Sequence, residues 1–116
     1  MDAEKLREVL EKHEKWLNRE DGGEQADMRC SDMRWADLRL ADLSGADLRE
    51  ADLDFSCWPL WCGSLDVIVD KRIAAQLAYP FCRIICDDGE VKAAQKALVT
   101  LANQFHRVDE CGRIEE

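Results

Sequence analysis

Between residues 26 and 55 the apolar positions recur every five residues, at Met28, Met33, Leu38, Leu43, Leu48 and Leu53. Each follows an aspartate, which in turn follows alanine or, once, Ser31. A period of five fits neither regular element: at 3.6 residues per turn these side chains would smear around a helix, and at period two every second one would face solvent. They share one interior only if the chain turns a corner at each repeat. On either side the periodicity is helical. Asp2 is placed as an N-cap, and Leu6, Val9, Leu10, His13, Trp16 and Leu17 follow as an amphipathic stripe that ends before Asp21-Gly22-Gly23. His13 on that stripe reads as an imbedded or half-exposed imidazole rather than a ligand. Asp70 predicts a second helix with Ile73, Ala74, Leu77, Phe81, Ile84 and Ile85 inward, which Pro80 should kink or displace. Asp87-Asp88-Gly89-Glu90 opens a third, with Val91, Ala94, Leu98, Leu101, Ala102 and Phe105 on one face. These two should form a helical hairpin.

The unbroken A-D-L/M-x-x motif, present in six copies over residues 26–55, resembles the pentapeptide-repeat family. The resemblance implies an α+β protein built on a short right-handed quadrilateral β-helix, four repeats to a square coil, with residue n beneath residue n+20. Ala26, Ser31, Ala36, Ala41, Ala46 and Ala51 would then point inward with the Leu/Met set. Outside, Trp35 would fall over Phe55, Arg34 over Asp54, and Arg29 over Arg49. Six repeats make about one and a half coils, and so short a stack exposes its edges and needs caps. The expected division is therefore 1–25 as an N-terminal capping helix and turn, 26–55 as the repeats, and 56–116 as a C-terminal cap and helical subdomain. Within the last, Trp58, Pro59, Leu60 and Trp61 read as a lid on the final coil or as an interface hot spot, and Leu65 to Val69 as a weak edge strand.

Charge narrows the partners. The 116 residues carry a formal charge of −9, spread along the chain, so direct nucleic-acid binding, which needs a basic footprint, is disfavoured. A basic protein surface is the natural complement. No basic-then-apolar leader opens the sequence and no apolar run approaches eighteen residues, from which a cytoplasmic protein is expected. No nucleophile elbow, phosphate loop or H-E-x-x-H occurs, so no enzymatic activity is expected. The repeat aspartates stand beside Arg29, Arg34, Arg39 and Arg49, and perturbed pKa values are not expected of them.

Cysteine spacing raises a metal. Cys57-x4-Cys62 and Cys82-x3-Cys86, separated by nineteen residues, approximate the paired-ligand pattern of a structural zinc site, with His106 and Cys111 as substitute ligands. One structural zinc ion would staple a chain with a small core. The alternative is that all six cysteines, Cys30 included, are plain thiols.

The family resemblance implies action by binding. Its well-understood members are acidic rods that resemble duplex DNA and act on DNA gyrase, but a stack this short spans too little duplex for that. The short repeat run followed by Asp54-Phe-Ser-Cys-Trp-Pro-Leu-Trp-Cys-Gly-Ser-Leu resembles the small pentapeptide-repeat proteins of phages and prophages of Gram-positive bacteria, which would place the chain in the cytosol of a host cell. That implies an inhibitor of a host nucleic-acid-processing defence enzyme, anti-CRISPR-like, which blocks nucleic-acid access to an RNA-guided nuclease. A gyrase or topoisomerase binder and a structural or regulatory phage module are the alternatives, as a monomer or a homodimer. Candidate contact residues are Asp27, Asp32, Asp37, Asp42, Asp47, Asp52 and Glu50 on the repeats, with Trp58 and Trp61 beyond them.

Overall fold

A computed structural model describes every residue from Met1 to Glu116 and divides the chain into two compact units, Met1–Val69 and Asp70–Glu116. The first begins with helix α1, Ala3–Leu17, whose N-cap Asp2 accepts the Lys5 amide at 2.8 Å. Glu4 in the first turn and Lys15 in the last both suit the helix dipole. The chain then reverses through Arg19 and Gly22, both at positive φ. Gly23 must be glycine, because a Cβ there would overlap the backbone of Trp16.

From Ala26 the chain ascends in turns joined by backbone hydrogen bonds. The amide of Met28 donates to the Asp47 carbonyl at 2.8 Å and Asp47 returns a bond to Ala26; Met33 with Asp52 and Leu38 with Cys57 repeat the arrangement. Here the expected β-helix is corrected. No β-strand and no sheet forms, the regular elements are all helical, and the turns meet only through single parallel pairings such as Asp27 with Asp47 and Asp32 with Asp52. The reason lies at the fifth position of the repeat. Cys30, Trp35, Glu50 and Phe55 all sit at φ between 58° and 66°, and Gly45 at 75°. A left-handed residue at nearly every corner leaves the extended stretch too short to propagate a ladder.

The third position of each repeat is nonetheless the core of this unit: Met28, Met33, Leu38, Leu43 and Leu48 are at most 1% exposed and Leu53 is 5% exposed. Trp35 stacks on Phe55 with ring centroids 4.5 Å apart. Beyond Phe55 the turns continue. Leu43 donates to Gly63 and Leu48 to Ile68, so five residues separate the donors Leu38 and Leu43 while six separate their acceptors Cys57 and Gly63. The extra residue falls in the Trp58-Pro59-Leu60-Trp61 corner, where Pro59 is fully buried and Leu60 is 94% exposed. A short 3-10 turn, Cys62–Ser64, follows.

The second unit is helical. Helix α2, Lys71–Arg83, and helix α3, Gly89–Ala102, lie against each other, and a single-turn α4, Val108–Cys111, precedes the tail. Asp70 and Asp88 cap α2 and α3 by accepting amides of their first turns. Pro80 lies inside α2 without ending it, and Ile84 still bonds to the Pro80 carbonyl. The helix stops at Arg83 because Ile84 turns extended, so Ile84 and Ile85, expected inward, are 54% and 101% exposed. Buried Tyr79 takes an interior place instead. Gln95 reaches from α3 to the carbonyls of Phe81 and Ile84, both at 2.9 Å, and so satisfies acceptors that the end of α2 leaves open. The tail is clasped by Asn103, which exchanges two 2.8 Å hydrogen bonds with the backbone of Ile114.

Candidate functional site: the aspartate ladder and the groove beside α1

The repeat's second position projects six aspartates, and the chain treats them unequally. Asp27, Asp32, Asp37 and Asp47 are each gripped by the arginine two residues on, through Nε and Nη2 together at 2.6–2.9 Å. The same carboxylates accept that arginine's backbone amide, at 3.1–3.2 Å. Such two-pronged, charge-assisted contact is the strong form of an ion pair. It shifts the acids, contrary to the sequence expectation. Hydrogen bonds from Arg29 and Arg39 lower Asp27 and Asp37 from the ordinary 3.8 to about 2. Asp32 and Asp47 are lowered by Arg34 and Arg49 in the same way. The arginines bend onto their own repeats, and Arg29 Nε also comes within 3.9 Å of Asp47 one coil away.

Two aspartates lack such a partner within their repeat. Asp42 is followed by Ser44 and accepts its amide at 3.0 Å, and Asp52 is followed by Asp54 and accepts that amide at 3.1 Å. Arg34 approaches Asp52 to 3.8 Å. Glu50 accepts from the Cys30 thiol at 3.2 Å, a contact that raises the Cys30 pKa. The ladder is therefore largely neutralised, yet the unit that carries it is strongly acidic: residues 1–69 hold 17 acids and 9 bases, against 8 and 7 in residues 70–116.

Beside the ladder lies a groove of about 770 Å³, bounded by α1 on one side and by the repeat corners around Trp35, Leu40 and Trp61 on the other. The volume is in the range of real binding pockets. Leu6 and Leu10 contribute to its floor, and Glu11, Glu14, Asp37 and Asp42 to its rim. Trp61 and Leu40 belong to it, whereas Trp58 is half-buried elsewhere. Leu40, a leucine at the outward fifth position of its repeat, is the signal of this groove that the sequence carries.

His13 fixes α1 to the first turns. The side chain is fully buried; Ala26 donates its amide to Nδ1 at 3.0 Å, and Nε2 lies 2.9 Å from the Ser44 carbonyl. An amide can only donate and a carbonyl can only accept, so the ring is neutral with its proton on Nε2. The same ring stacks on Trp16, with centroids 5.3 Å apart.

The cysteines do not gather. All six are free thiols, Cys57 and Cys62 exposed, Cys82 and Cys86 half-buried, and nowhere do three or more His, Cys, Asp or Glu side chains form a group able to hold a metal ion. Cys82 donates to the Gln95 carbonyl at 3.5 Å, and burial raises its pKa. His106 meets Phe105 edge-on, and Cys111 is exposed. Cys57 and Cys62 belong to the first unit, and Cys82 and Cys86 to the second. No helix is long and apolar enough to cross a membrane.

Residues 24–56 match the family model described as pentapeptide repeats, counted in eight copies. No curated protein and no solved structure matches the chain. Pentapeptide repeats serve in general as protein–protein interaction modules, typically without catalysis.

Proposed function

We propose that residues 1–69 form an acidic, non-catalytic binding module that docks on a basic nucleic-acid-binding surface of a host protein. Docked there, it keeps nucleic acid from an RNA-guided nuclease or a similar defence enzyme. The observation that carries this reading is the charge distribution: 17 acids against 9 bases in one unit and near balance in the other. An acidic surface steers a basic partner and competes with its nucleic acid. Gyrase binding by duplex mimicry is less well supported, because a mimic needs unspent negative charge at about one per 1.7 Å of axis, and four of six ladder aspartates are occupied by arginine.

The experiment is capture from host lysate at low and at high salt, followed by nucleic-acid loading of the retained enzyme with and without the module. Retention that fails as the Debye length falls below about 10 Å, with loading blocked, is the expected result. Retention of nothing at low salt, or loading unaffected by a saturating excess, overturns the proposal.

A further inference from the structure

The geometry points to a specific occupant for the groove beside α1: a basic amphipathic helix of a partner protein, about four turns long. This rests on reading residues 1–69 as an interaction module and says which part of it makes the apolar contact. Along α1 the groove is lined at Ala3, Leu6, Leu10 and Leu17, with Arg7 and Glu14 in the intervening places. Steps of three and four residues are the spacing at which one helix meets another. From Ala3 to Leu17 the stripe runs about 21 Å at 1.5 Å per residue. A helix laid parallel to α1 runs along that length and turns one apolar face to Ala3, Leu10 and Leu17, with Leu6 beneath; a compact small molecule uses only part.

The facing wall supplies the anchors. Trp35 is 74% exposed, Leu40 94% and Trp61 51%, and all three border the same groove. Large apolar side chains around a concave site are what a helix-in-groove contact inserts between. Charge then selects the sign of the ligand. Three cations lie at the groove: Arg34 is held by Asp32, the Met1 ammonium donates to the Asp32 carbonyl at 2.7 Å, and Arg7 sits 4.0 Å from Glu11. Asp37 is held by Arg39, which leaves Glu14 and Asp42 at the rim without a basic partner. Lysine or arginine flanking the partner's apolar stripe meets these carboxylates. A second copy of this chain would bring its own surplus of acid against them, so self-association through the groove is opposed.

The test titrates the full-length, ¹⁵N-labelled chain with a sixteen-residue peptide carrying leucine at the a and d positions of a heptad and lysine and alanine elsewhere. Two comparators are used: the same composition scrambled to abolish the apolar stripe, and the amphipathic peptide with glutamate for lysine. Shifts confined to residues 3–17, 35–42 and 61, with the scrambled and acidic peptides at least tenfold weaker, are expected. Leu40→Ser alone, which removes a side chain that is 94% exposed and leaves the core intact, and Leu40→Ser/Trp61→Ser together are each expected to weaken the amphipathic peptide, the pair at least tenfold. Equal binding of the scrambled peptide, shifts along Asp27, Asp32 and Asp47 with the serine variants unaffected, no binding of any peptide, or concentration-dependent dimerisation in sedimentation each overturn the assignment. None of these outcomes alters capture of a basic partner by the acidic surface. Absence of any salt-sensitive partner in lysate sinks the module reading and leaves the peptide result standing.

Discussion

Replacing His13 by phenylalanine keeps a ring against Trp16 and removes both polar contacts of the imidazole, those to Ala26 and Ser44. The Ala26 amide and the Ser44 carbonyl then lose partners at 3.0 and 2.9 Å around a side chain that is 0% exposed. A buried donor or acceptor left unsatisfied costs about 1–3 kcal/mol, so the pair should cost about 2–6 kcal/mol. For a domain of this unit's size, 1 kcal/mol moves Tm by about 4–8 °C, so even the low end predicts a fall of roughly 8–16 °C. Thermal and urea unfolding followed by circular dichroism measure it, with exposed Lys12→Ala expected within about 0.5 kcal/mol of the parent. Amide exchange adds a local readout, since Ala26 should lose protection more than Met33. A phenylalanine variant within 0.5 kcal/mol of the parent, with Ala26 still protected, would show that the imidazole does not hold the helix in place and that apolar contact alone does.

The aspartate ladder predicts an acid limb in stability. Asp27 and Asp37, lowered to about 2 from 3.8, contribute fully above their unfolded value and lose that contribution as pH falls through their folded one, so the urea midpoint should decline from about pH 4 toward pH 2. A flat midpoint over that interval would mean the arginine forks add nothing in the folded state. Gly63→Ala should be strongly destabilising, because a Cβ there would overlap the Ala41 carbonyl and the Trp61 ring; a melting temperature unchanged from the parent contradicts that close approach. Leu43→Ala, at a site 0% exposed, should cost about 2–5 kcal/mol in urea unfolding, and a loss under 1 kcal/mol would place the side chain outside the core. Elemental analysis of tag-free protein decides the zinc expectation: about one zinc per chain, with melting lowered by chelation, supports Cys57, Cys62, Cys82 and Cys86 as ligands, and far less than one with no effect of chelation ends it.

The five-residue spacing of Met28 to Leu53 was enough to identify the interior, because only a chain turning at every repeat can bury all of them. It was not enough to say whether strands form. That depends on backbone angles at the fifth position, where Cys30, Trp35, Glu50 and Phe55 adopt a left-handed conformation that their residue types do not advertise; only Gly45 carries the usual signal. The continuation past Phe55 was hidden for a related reason. One extra residue at the Trp58–Trp61 corner breaks the motif, while the backbone bonds to Gly63 and Ile68 persist. On the surface, arginine beside aspartate was visible, but the rotamer that turns each guanidinium onto its own repeat was not. The groove needed three dimensions, since α1 and Leu40 are neighbours only after the chain reverses at Arg19 and Gly22.

The arginine forks also bear on what the outward fifth positions must do. Each links two residues of the same pentapeptide, as Arg29 does with Asp27 and Arg49 with Asp47, so a repeat brings its own counter-ion with it. The repeats without a fork are the exception: Asp42 and Asp52 rest on backbone amides, and Asp52 also on Arg34 from the coil below. In the four forked repeats the outward fifth position is thus free of any duty to neutralise the aspartate, and Cys30, Trp35, Leu40 and Glu50 differ there in size, polarity and charge.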